Sequence, residues 1–148
     1  MIKLYSAAAT AKGGRDGSVK TADGKLNFNF SIPKELYGEG KEGVNPEQLF
    51  ASAYAACFDN TLNIVAKQKH MMIESETTAE VTIGQEAGGF GLSVVITGKI
   101  SGVNIEDAYS LMEAAHIVCP YSKAIMGNVD VTLTLAEDKN QVLNRETA

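Results

Sequence analysis

The residues of this 148-residue chain best suited to chemistry are few: two cysteines, two histidines and two arginines. Cys57 and Cys119 stand 62 positions apart. A thiol attacks as its thiolate, and at an ordinary pKa of about 8.5 only a few per cent is ionised at pH 7. Lowering that pKa by about two units, near 2.7 kcal/mol, makes thiolate the main form. Cys57 falls in Tyr54-Ala55-Ala56-Cys57-Phe58, inside an expected helix. It lies roughly 18 Å along the helix axis from Asn45, beyond the first turn in which a helix dipole acts. Burial alone raises a thiol pKa. A reactive Cys57 therefore requires a cation from elsewhere in the fold. One arginine at about 4 Å supplies about 4 kcal/mol of gross attraction at an effective dielectric near 20.

Arg145 belongs to a polar tail, whereas Arg15 sits in the flexible loop Gly13-Gly14-Arg15-Asp16-Gly17 and can carry its side chain into a site. A solvated loop charge is the plain alternative. Cys119 precedes Pro120; as the cap of a following helical turn, it would have backbone N–H groups nearby to stabilise a thiolate. Two cysteines each at a helix feature suit a redox pair, or two unrelated core residues. His70 and His116 invite a zinc site, but the chain has no C-x₂-C and no H-x₃₋₅-H pair, so no metal is expected. His116 is expected to face a carbonyl, a carboxylate or solvent. No G-x-S-x-G elbow, P-loop or G-x-G-x-x-G run occurs.

The elements that must position these residues are legible in outline. Residues 2–10 and 18–21 read as a hairpin with a loose glycine-rich connection, and residues 26–32 as a half-buried strand ended by Pro33. Asn45 as cap, Pro46 in the first turn and Glu47 at the positive end open a long helix to about His70. Its run of small residues at 51–56 suggests a helix set deep in the protein. Residues 77–85 and 90–100 alternate as two strands about a Gly88-Gly89 turn. A second helix opens at Asn104 and runs to about Val118, with Ile105, Ala108, Leu111, Met112 and Ala115 as its apolar stripe. Cys119-Pro120 interrupts it. A short turn over 121–126 and a final strand from Val129 to Leu135 follow, then a polar tail from Glu137. The order predicts an α+β fold, helices packed on mostly antiparallel sheet.

Thirteen basic against eighteen acidic residues give a net charge of −5, which leaves no basic excess for binding nucleic acid. No apolar run reaches the ~18 residues of a membrane span, and no secretory signal is visible. A cytoplasmic protein without a structural disulfide is expected.

Two stretches resemble a known family. Gly43-Val44-Asn45-Pro46-Glu47-Gln48-Leu49-Phe50 with Tyr54-Ala55-Ala56-Cys57-Phe58 is similar to the first signature of the OsmC/Ohr family. Ala115-His116-Ile117-Val118-Cys119-Pro120-Tyr121-Ser122 with Gly127-Asn128-Val129-Asp130-Val131 is similar to the second. The resemblance spans essentially the whole chain as one domain, residues 1–148, and is closer to the organic hydroperoxide resistance (Ohr) branch. It departs at Lys123 and Met126, beside Cys119, where the branch usually carries asparagine and arginine.

The resemblance implies an intertwined α+β homodimer with a long central helix and two sites at the subunit interface. It implies a peroxidase acting on organic hydroperoxides, with Cys57 peroxidatic, Cys119 resolving, and Arg15 and Glu47 activating the thiolate. The reductant would be an external dithiol, dihydrolipoamide or a lipoylated protein, with no metal, haem or other cofactor. Glu47 and Cys57 are about 15 Å apart along one helix, so each site is expected to take Arg15 and Glu47 from one subunit and Cys57 with Cys119 from the other, with a kink in the helix as the alternative. The competing readings are an osmotically induced OsmC-branch peroxidase and a non-catalytic binding module of the same fold.

Overall fold

The structure is a computed structural model that describes residues 1–136; the expected polar tail with Arg145 lies outside them. The chain divides into two compact units, Met1–Leu49 and the chain from Phe50 onward. Each contains one three-stranded sheet.

In the first unit, β1 (Ala9–Lys12), β2 (Ser18–Thr21) and β3 (Asn27–Asn29) pair antiparallel in that order. The expected hairpin is present, but β1 begins at Ala9. Ile2, Leu4 and Tyr5 are strand-prone yet stay exposed and outside any ladder, because β2 offers only four partners. The glycine-rich connection is a single 3-10 turn, Gly14–Asp16, entered through Gly13 in the left-handed region (φ 81°). At Gly17 a Cβ would overlap the Lys12 carbonyl oxygen, so only glycine lets the chain re-enter β2 here. β3 is shorter than the alternating run, and Phe30 instead bridges Val44 in parallel.

A capping box opens α1 (Pro46–Gln68): Gln48 N–H donates to Asn45 Oδ1 at 2.9 Å, and Asn45 N–H to Gln48 Oε1 at 3.0 Å. Tyr54, Phe58, Thr61, Leu62, Val65 and Ala66 are buried at helical spacing, while Ala56, Asn60 and Ile64 are exposed. The helix expected to lie deep is thus covered on one face in the single chain. It ends in a Schellman turn, with Met71 N–H on Ala66 O and His70 N–H on Lys67 O, and His70 left-handed at φ 58°.

In the second unit, β4 (Glu74–Glu86) and β5 (Gly89–Ser101) form a long antiparallel hairpin. Its register pairs Glu86 with Gly89, which puts the turn at Ala87-Gly88, one residue earlier than expected. Asn104 caps α2 (Ile105–Val118) by accepting from Asp107 N–H at 2.8 Å. α2 buries Ala108, Leu111, Met112 and Ala115, but Ile105 stays exposed. Gly98 of β5 has no side chain because Met112 Sδ would lie 2.6 Å from its Cβ. After α3 (Pro120–Ile125), β6 (Asp130–Leu135) returns parallel to β5, pairing Val131 with Val94 and Leu133 with Ile96. The two helices supply the crossover that a parallel pair requires. The architecture is α+β, as expected. Among the described residues no helix is long and apolar enough to cross a membrane.

Candidate functional site

Cys119 links α2 to α3. The following proline forces it into an extended backbone (φ −60°, ψ 125°). Its N–H closes α2 on Ala115 O at 2.8 Å, and its carbonyl accepts from Lys123 N–H at 2.9 Å to open α3. Its side chain is fully buried, and the Cys119 thiol points at Cys57 Sγ on α1, 3.8 Å away. Both cysteines are free thiols. A disulfide needs about 2.05 Å between sulfurs, so forming one takes a closer approach of the two sulfurs and an oxidant to accept two electrons.

The balance at Cys57 is unfavourable to thiolate within this unit. Burial pushes its pKa up and Cys119 adds to the rise, while a backbone hydrogen bond from Tyr121 opposes them. The donor group at the start of α3 thus serves Cys57. Cys119 occupies the cap position as expected, but its side chain makes no capping bond.

Aromatic rings pack beside the thiols. Tyr54 stacks on Tyr121 with centroids 5.9 Å apart, and Phe50 lies 5.9 Å from Tyr54 and 6.4 Å from Tyr121. Tyr54 Oη and Ser122 Oγ share a hydrogen bond of 2.7 Å, both residues fully buried. Ile117, Val118 and Met126, near Cys119 in sequence, are exposed. The sequence does not single out this pair; the available signal is that each residue stands three positions from a cysteine.

Arg15 and Glu47 form the other pairing, inside the first unit. Arg15 Nη1 donates to Glu47 Oε2 at 2.8 Å and Nη2 to Oε1 at 2.6 Å. The 3-10 turn presents the arginine, and the first turn of α1 presents the glutamate. The arginine hydrogen bonds hold the Glu47 carboxyl below the usual range, and Glu47 raises Arg15 in return. Arg15 is therefore held in a two-point ion pair, with 39% of its side chain still exposed. The four residues singled out from sequence thus fall into two pairs, one in each unit.

His116 departs from expectation. Its Nδ1 is buried with no hydrogen-bond partner among the described residues, and burial lowers its pKa toward the neutral imidazole. His70 is the left-handed residue ending α1.

The family profile described as OsmC-like protein matches residues 38–134. The organic hydroperoxide resistance protein of Xanthomonas axonopodis pv. citri is 47% identical over 135 residues, 90% of this chain and 95% of that protein. The organic hydroperoxide resistance protein OhrB of Bacillus subtilis is 44% identical over 136 residues, 90% of this chain and 99% of that protein. The crystal structure of an organic hydroperoxide resistance protein from Elizabethkingia anophelis superposes with a TM-score of 0.86 at 49% identity, covering 93% of this chain and 100% of that one. The profile match includes Glu47, Cys57 and Cys119, and the chain belongs to the family of OsmC-like proteins.

Proposed function

We propose that this protein is a thiol-dependent peroxidase that reduces organic hydroperoxides to alcohols. The observation that carries the reading is the pair of free thiols at 3.8 Å, Cys57 on α1 and Cys119 before α3. The names of the relatives support the substrate class.

In the proposed cycle the Cys57 thiolate attacks one oxygen of the hydroperoxide. The O–O bond breaks, a sulfur–oxygen bond forms, and the alkoxide takes a proton to leave as alcohol. Cys119 then attacks the Cys57 sulfenic sulfur and expels water, leaving a disulfide. An external dithiol, such as dihydrolipoamide or a lipoylated protein, reopens it by two exchange steps and is itself oxidised to a disulfide. All electrons come from thiols, so the scheme uses no metal or cofactor. The partly exposed rings of Phe50 and Tyr121 favour a substrate with an apolar group over hydrogen peroxide.

Arg15 is the proposed cation for the thiolate and for the departing oxygen, oriented by Glu47. An arginine held on Glu47 does not span the about 15 Å of helical rise to Cys57. Each site is therefore proposed to combine Arg15 and Glu47 of one copy with Cys57 and Cys119 of a second. The exposed apolar side chains of Ile2, Leu4, Tyr5 and Ile64 support such a homodimer.

The test is to treat the reduced protein with cumene hydroperoxide and trap the product with dimedone in a Cys119→Ser background. One dimedone adduct on Cys57, and a Cys57–Cys119 disulfide in the unaltered protein, are expected. An unmodified Cys57 would point to a binding module.

A further inference from the structure

Two bridges run side by side between the same two elements. One is the thiol pair, Cys57 on α1 and Cys119 at the start of α3. The other is the hydroxyl pair, Tyr54 on α1 and Ser122 on α3, 2.7 Å apart. Tyr54 precedes Cys57 by three residues, so both side chains leave one face of α1. Ser122 follows Cys119 by three, so α3 carries the matching spacing.

Two features make the hydroxyl bridge stiff, and two more leave the placing of Cys119 to it. Both residues are fully buried, so water does not replace either partner. The Tyr54 ring is packed by Phe50, Phe58 and Tyr121, which denies the phenol another direction. The Cys119 side chain makes no capping bond, so its tie to α3 is its carbonyl, which accepts from Lys123 N–H. Ile117, Val118 and Met126 beside this junction are exposed, while Ala115, Cys119 and Ser122 are fully buried.

The geometry points to Tyr54 and Ser122 as a positioning pair that holds Cys119 at closing distance from Cys57, and so sets how readily the disulfide forms and how firmly it resists reduction. Neither hydroxyl reacts. The pair acts on the effective concentration of one thiol at the other, the quantity that separates a poised dithiol from two neighbouring cysteines. Its bearing on catalysis rests on the peroxidase reading above, but its effect on the dithiol does not.

The test equilibrates the full-length protein with mixtures of reduced and oxidised dithiothreitol. Two protein thiols are oxidised to one disulfide while cyclic dithiothreitol disulfide is reduced to its dithiol. Tyr54→Phe, Ser122→Ala and the double variant are compared with the unaltered protein. Each single variant is expected to lower the constant for disulfide formation about tenfold, the worth of one buried hydrogen bond. The double variant is expected to match the singles.

A merely structural role behaves differently. Each single variant strands a buried hydroxyl, and the double variant removes both, so the double would then return to the unaltered constant. That outcome, an unchanged constant in either folded single variant, or a double variant far below both singles overturns the pair. If Tyr54→Phe fails to fold, Ser122→Ala decides alone. The equilibrium needs no hydroperoxide. A protein that closes with dithiothreitol and ignores cumene hydroperoxide would sink the peroxidase reading and leave this one standing.

Discussion

Arg15 and Glu47 meet through two parallel hydrogen bonds, 2.8 and 2.6 Å long, that join a 3-10 turn to the first turn of α1. Because the folded state lowers the Glu47 pKa, the pair contributes stability that is whole above the unfolded carboxyl value, about 4.3, and is lost as pH falls through the folded value. Glu47→Gln should therefore unfold at lower urea than the unaltered protein at pH 7. The gap should narrow as the pH drops below about 4. Urea midpoints across pH 3 to 7 read this directly, and a gap that widens in acid contradicts it.

Cys57 carries a pKa raised by burial and by Cys119, and only the Tyr121 backbone bond opposes the rise. If Arg15 supplies the missing cation, Arg15→Met should move the pH profile of Cys57 alkylation to higher pH by about two units, the worth of one close charge at intermediate dielectric. The measurement is the rate of iodoacetamide reaction against pH in a Cys119→Ser background. An unmoved profile would remove Arg15 from the site.

Asp59 anchors the hairpin to α1. Its Oδ1 accepts from Ser75 Oγ at 2.8 Å and Thr77 Oγ1 at 2.9 Å, and its Oδ2 from Asn63 Nδ2 at 3.3 Å. Asp59→Ala leaves these donors without their carboxylate; one hydrogen bond to a charged group is worth about 2 kcal/mol net, and the freed donors, all at least partly exposed, turn to water and limit the loss to about one such bond. We expect a loss of about 2 kcal/mol in total from urea unfolding. Ser75→Ala should cost less, because Thr77 still holds the carboxylate.

His70 occupies the left-handed position that glycine normally takes after a helix. His70→Gly should relieve the strain and stabilise the protein by about 1 kcal/mol, less the extra freedom glycine has when unfolded. A lower thermal midpoint for this variant would show that the imidazole itself contributes.

The parts of the fold legible in the sequence are those punctuated by strong local chemistry. Asn45 with Pro46, Asn104, and the Cys119-Pro120 step mark helix ends through backbone donors and steric rules that act within a few residues. The start of β4 was missed for a specific reason. Ser75 and Thr77 face inward but are polar, because they meet the Asp59 carboxylate in place of an apolar core, and that breaks the alternation. Residues 2–8 read as strand from propensity alone, yet no neighbouring strand pairs with them. The parallel direction of β6 depends on the α2–α3 crossover, which alternation does not encode. Of the candidate site, the residue types were readable and the pairings were not. Arg15 on Glu47 spans 32 positions and Tyr54 on Ser122 spans 68, and only the folded chain joins them.

The most direct test of the peroxidase reading is stopped-flow consumption of cumene hydroperoxide and of hydrogen peroxide by the pre-reduced protein, with Cys57→Ser in parallel. The account predicts rapid consumption of the organic peroxide, at least about a hundredfold slower consumption of hydrogen peroxide, and no reaction in the variant; a gap that large needs about 2.7 kcal/mol of transition-state discrimination. Equal, slow rates for both peroxides, unchanged by Cys57→Ser, would contradict it.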